Sequence, residues 1–107
     1  MNIILSDSFK RKAKILARKY HSFKDDLLKF AINLKENPIQ GTALGKDCYK
    51  VRIAITSKNK GKSGGARVIT CVKIEDENIY LLSIYDKSTQ DNIEEKEIDA
   101  ILKALGL

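Results

Sequence analysis

The strongest constraint on this fold is a change of hydrophobic period near residue 48. Phe9, Ala13, Leu16 and Tyr20 stand at i, i+4, i+7 and i+11, which places them on one face of a helix. Phe23, Leu27, Ala31 and Leu34 repeat that spacing as far as Pro38, and Ser22 with Asp25 has the form of a capping box with Asp in the place of Glu. Two helices joined by so short a link predict an antiparallel hairpin. From Tyr49 to Thr56 the period becomes two. Tyr49, Val51, Ile53 and Ile55 take one side of a strand, and Lys50, Arg52, Ala54 and Thr56 take the other. The chain must therefore pack helices against a sheet.

The remaining segments extend this pattern. Asn2 to Leu5 reads as a short first strand, and Ile39 to Asp47, with Gly41 and Gly45, as a connecting loop. Ser57 to Gly65 holds three Lys and three Gly with no apolar anchor, which predicts a mobile loop. Ala66 to Ile74 and Ile79 to Tyr85 are β-branched runs joined by Glu75 to Asn78, so a three-strand antiparallel meander is expected. Asn92 with Glu95 again has capping-box form, Ile98, Ile101, Leu102 and Leu105 line one helical face, and Gly106 is placed to end that helix. The expected order is β-α-α-β-β-β-α, an α+β domain over residues 1–107. Its antiparallel sheet has one face packed on the helical hairpin and the other at least partly open.

With 107 residues the chain supports one core, and 43% apolar residues with a single Pro exclude collagenous and disordered classes. Its 20 Lys and Arg against 14 Asp and Glu give a net charge of +6. Residues 1–62 hold 15 cations and 5 anions, and residues 63–107 hold 5 and 9, so a polyanion is the first partner to consider. Only three apolar residues, Ile3 to Leu5, run together at the start, too few for a signal-peptide core or a membrane span. Cys48 and Cys71, 23 residues apart with one His in the chain, fit neither a zinc site nor a disulfide scaffold. A reduced cytoplasmic protein with two small buried cysteines is expected, with no membrane partner.

Most of the chemical motifs have structural explanations. Gly61-Lys62-Ser63 lacks the earlier Gly of a phosphate loop, since Thr56 stands there, and a strand follows where a helix would be needed. Glu94, Glu95 and Glu97 suit the first turn of a helix, and His21 has no partner at the spacing of a triad or metal site. What remains is basic and aromatic. Lys50 and Arg52 share one strand face, and if the following strands pair in register, Arg67, Tyr85 and Lys87 join them near one end of the open face. Such a set can hold a phosphodiester. It can also assist its cleavage by the neighbouring 2′-hydroxyl, because cations neutralise the transition state and a Lys crowded by cations can serve as a base. Binding alone and catalysis are equally compatible with the spacing. Lys58, Lys60 and Lys62 of the loop, and Lys10, Arg11 and Lys14 of the first helix, add positive surface suited to RNA.

Three segments carry a family resemblance: Asp47-Cys-Tyr-Lys-Val-Arg-Ile53, Gly61-Lys-Ser-Gly-Gly-Ala-Arg-Val-Ile69 and Tyr80-Leu-Leu-Ser-Ile-Tyr-Asp-Lys-Ser88. Through them the chain resembles the RelE/ParE toxin superfamily, and within it RelE-like and HigB-like toxins of type II toxin-antitoxin pairs. The resemblance implies a RelE-like, microbial ribonuclease-type fold and a ribosome-dependent mRNA endoribonuclease. Such an enzyme cuts in the A site without a metal or other cofactor, inhibits translation, and is restrained by a cognate antitoxin. It places Lys50 and Arg52 at a base and transition-state position, Arg67 on the scissile phosphate and Lys87 at a basic position after the last strand. An Arg and a later Tyr of the family pattern are replaced here by Ser88 and by a position near Glu94, which leaves Tyr85 as the stacking aromatic. Two other functions fit the same residues less fully: a ParE-like inhibitor of DNA gyrase, and an RNA-binding domain without activity.

Overall fold

The computed structural model describes residues 1–107. Strand β1 (Asn2–Leu5) leads into helices α1 (Asp7–Lys19) and α2 (Phe23–Glu36), followed by strands β2 (Thr42–Gly45), β3 (Cys48–Ile53), β4 (Ala66–Lys73) and β5 (Asn78–Asp86) and helix α3 (Glu95–Ala104). The sheet runs β1-β5-β4-β3-β2, with β3, β4 and β5 an antiparallel meander and β1 added parallel to β5. One face lies on the helical hairpin. Phe9, Leu16, Phe23, Phe30 and Leu34 pack there against Val51, Ile53, Val68, Val72, Leu81 and Ile84, forming the larger of two cores. Buried Ser6 locks α1 to the sheet. Its hydroxyl accepts from Phe9 N at 2.9 Å as the N-cap and donates to Leu82 O at 2.7 Å. No helix is long and apolar enough to cross a membrane.

The α+β class and the meander agree with the sequence pattern, but three local expectations need correction. The connecting loop contains a strand, β2, which forms a hairpin with β3 through Lys46 and Asp47 at φ 56° and 63°. Two successive left-handed residues are the geometry of a type I′ turn, which matches the twist of paired strands. Four residues, all exposed, are too few to show a period, so β2 left no mark in the hydrophobic pattern. Ser22 does not cap α2. Its hydroxyl donates to Asp26 at 2.8 Å and accepts from Ser57 N at 2.9 Å, so it anchors a distant loop instead. The last helix starts at Glu95, past the expected Asn92 cap, because Ile93 is buried in the second core and holds the preceding backbone on the sheet. Its end is as expected. Gly106 at φ 75° closes a Schellman motif, with Gly106 N donating to Lys103 O and Leu107 N to Leu102 O.

The second sheet face is covered over part of its width. Cys48, Ile69, Cys71, Leu82 and Tyr85 bury against Ile93, Ile98 and Leu102, and both cysteines are free thiols inside this smaller core. The rest of that face, toward the ends of β3 and β5, stays open. Its margin depends on Gly65, where a Cβ would lie 2.0 Å from Ile53 O, so only glycine lets the returning chain enter β4 this close to β3. Gly65→Ala is expected to lower stability by about 1–3 kcal/mol, the cost of forcing an atom into a packed contact. Urea unfolding followed by circular dichroism measures it.

Candidate active site

The register of the meander builds the site. Arg52 lies directly opposite Arg67, and Arg67 opposite Tyr85, one row across three strands; Lys50 lies opposite Ile69 in the adjacent row and Thr42 of β2 opposite Lys50. Lys50, Arg52, Lys62, Arg67 and Lys87 together line a cavity of about 440 Å³, with Asp91 the single carboxylate. Gln40, Gly41 and Thr42 close its far wall. Gly41, at φ 86°, approaches so near that a Cβ would lie 2.3 Å from Lys50 O. A second hollow of about 290 Å³ shares Gln40, Arg52 and Lys62 and carries the groove on to Lys29 and Asn33 of α2.

Like charges facing each other across a ladder are destabilising unless something compensates them. Arg67 is compensated in part. It is 5% exposed, and its guanidinium donates to Lys62 O at 3.0 Å, Ala66 O at 3.2 Å and Ser63 O at 3.3 Å, fixing the loop that carries Lys62. Lys87 pairs with Asp91 at 3.3 Å. Lys50, Arg52 and Lys62 have no carboxylate within salt-bridge distance, so their charge is left for a ligand. The arrangement suits a phosphate or phosphodiester, whose oxygens can accept from both guanidinium groups at once.

Other expected site residues take different places. Tyr85 is 4% exposed, packed in the core beneath α3 with its hydroxyl donating to Asp91 O at 3.5 Å, and cannot offer its ring to a base. Burial raises its phenol pKa against the pull of the neighbouring Arg67 cation. Lys60 is exposed outside the cavity, and Lys10, Arg11 and Lys14 lie on the exposed sides of α1, which packs on the opposite face of the sheet. The loop of residues 57–65 is anchored, contrary to the mobile loop expected. Thr56 N donates to Asp26 at 2.8 Å, and the Lys58 side chain, 7% exposed, reaches Asp86 at 2.8 Å. Asp86 and Asp91 escaped the sequence reading because their partners are fixed by the fold and by a loop with no period.

Asp86 is the most heavily bonded side chain behind the site. Its carboxylate, 3% exposed, accepts from the Tyr20 hydroxyl, from Lys58 Nζ, and from Ser88 N at 2.9 Å and Oγ at 2.7 Å, with Lys19 at 3.5 Å. Burial alone would raise its pKa. The bonds from Lys58, Tyr20 and Ser88 outweigh burial and hold the carboxyl well below the usual range. Asp26 is lowered in the same way, burial being overcome by bonds from Thr56 and Ser22.

The family model of the RelE toxin of the RelE/RelB toxin-antitoxin system matches residues 1–106. The chain belongs to the RelE toxin family. In fold, this RelE-family toxin is similar to a mutant of the E. coli toxin RelE solved in the free state, with a TM-score of 0.60 and 16% identity over 97% of this chain and 96% of that one. The family supplies one partner class for the RelE-family toxin, a cognate antitoxin.

The two lowered carboxyls give this RelE-family toxin a defined acid response. An unfolded Asp titrates near about 3.9, whereas Asp86 and Asp26 stay ionised to lower pH in the fold, so below that value the unfolded chain binds more protons. Their contribution is complete above about pH 4 and is lost as pH falls through their folded values. Urea midpoints measured from pH 6 downward are expected to hold to about pH 4 and to fall below it, and Asp86→Asn to flatten that fall; an unchanged slope would show that Asp86 is not among the groups responsible.

Proposed function

We propose that this toxin is an mRNA endoribonuclease that acts in the ribosomal A site and cuts by attack of a 2′-hydroxyl on the adjacent phosphodiester. One observation carries the proposal: five cations from β3, β4 and two loops meet in a single cavity, four of them with no carboxylate partner. Family membership and the RelE-like fold support it. Arg52 and Arg67 hold the phosphate and stabilise the added negative charge of the pentavalent transition state. Lys50 takes the proton from the 2′-oxygen, which bonds to phosphorus as the bond to the 5′-oxygen breaks, and an ammonium of the same cavity returns a proton to that leaving oxygen. The products are a 2′,3′-cyclic phosphate and a 5′-hydroxyl end. Lys87 neutralises charge at the cavity mouth. Lys60, Lys10, Arg11 and Lys14, outside the cavity, steer the toxin to ribosomal RNA from a distance. It acts in the cytoplasm, where translating ribosomes are found, and a cognate antitoxin restrains it.

Translating ribosomes incubated with the purified protein, with mRNA ends mapped by primer extension, test this. Cleavage within the A-site codon is expected, and Lys50→Ala and Arg67→Ala should each lower its rate about 100-fold while ribosome binding is largely kept. Intact codons at stoichiometric protein would sink the proposal. Loss of RNA affinity in proportion to loss of toxicity would indicate a binder without catalysis.

A further inference from the structure

We propose that Asp86 is a positioning residue, whose buried carboxylate fixes through Lys58 and Ser88 the two loops that present Lys62 and Lys87 to the cavity. The inference rests on the nuclease function proposed above, and it concerns residues that do not touch the cavity. Asp86 ends β5 with its side chain toward the helical hairpin, whereas the next residue, Lys87, points into the cavity on the other face. Three chain segments converge on that one carboxylate: Lys19 and Tyr20 from the end of α1, Lys58 from the loop after β3, and Ser88 from the loop after β5. The Tyr20 ring is flanked by both ammonium groups, each 5.3 Å from its centroid.

The two loops are also joined behind the cavity. Lys87 N donates to Gly65 O at 3.0 Å, and Thr89 N and Gln90 N both donate to Asp86 O at 3.1 Å. Arg67 holds the carbonyls of Lys62 and Ser63, so displacement of this loop moves cavity cations at both of its ends. A buried ion pair contributes little net stability compared with apolar residues of the same shape, and its best-attested use is to specify one arrangement among several. Here the arrangement specified is the relative placement of Lys62, Arg67 and Lys87. Lys58, read from sequence as an RNA contact, is therefore a strut.

The experiment compares the full-length wild-type chain with Lys58→Met, Lys58→Arg and the double variant Lys58→Met/Asp86→Asn, which leaves no unpaired buried charge if the single variant folds poorly. Cleavage of A-site mRNA and hydrogen exchange of the Lys58, Gly65, Lys87 and Ser88 amides are measured on each. Lys58→Met and the double variant should lower kcat by about tenfold to a hundredfold with KM nearly unchanged, as expected for misplaced catalytic groups. Exchange should speed up at those four amides and stay as in wild type in the sheet core, and Lys58→Arg should restore both readouts. A raised KM with kcat kept would make Lys58 an RNA contact, and exchange unchanged at the four amides would show no strut; either result overturns the inference. Wild-type protein that leaves ribosomal mRNA intact would instead defeat the nuclease function, and the exchange measurement would then decide the strut by itself.

Discussion

The register between β3, β4 and β5 is the constraint on which the site depends. It sets Arg52 against Arg67 and Arg67 against Tyr85. A slip of one residue would exchange the faces of the strand that slips, sending Val51 out and Arg52 into the larger core, or Val68 out and Arg67 in, and burying a guanidinium among apolar side chains with no partner. The apolar face under the hairpin therefore specifies the position of the basic face. Stability and chemistry are linked through the strand period: the same alternation that buries Val51 and Ile53 displays Lys50 and Arg52.

The basic face becomes a cavity only because other elements border it. Helix α3 covers the neighbouring area with Ile98 and Leu102 and removes Tyr85 from solvent, while β2 and Gly41 raise a wall beside Lys50. Arg67 serves on both sides. Its carbonyl partners order the loop that brings Lys62, and the same guanidinium borders the cavity. A phosphate in the cavity meets several cations at once, with more attraction than a single cation supplies at an open surface.

Away from the cavity, carboxylates from the less basic part of the chain take up cations from the more basic part. Asp86 binds Lys58 and Lys19, and Asp99 binds Lys46 at 2.6 Å. The net charge of +6 thus overstates what is available to RNA at some positions, and the unpaired set of Lys50, Arg52 and Lys62 describes it better.

The two hydrophobic periods by themselves determined the class, the hairpin, the meander and the face that carries Lys50 and Arg52, because a period is a property of neighbouring residues. Gly106 as the stop of α3 was legible for the same local reason. The exposed strand β2, too short for a period, was not legible. Nor were the burial of Tyr85 under α3 and the capture of Lys58 by Asp86, since these depend on Ile98, 13 residues from Tyr85, and on Asp86, 28 residues from Lys58, coming alongside in space. A lysine in a glycine-rich loop reads the same whether it points to solvent or to a buried carboxylate. Only tertiary structure decides between them, because the desolvation and pairing that distinguish them arise when the distant acid is brought alongside.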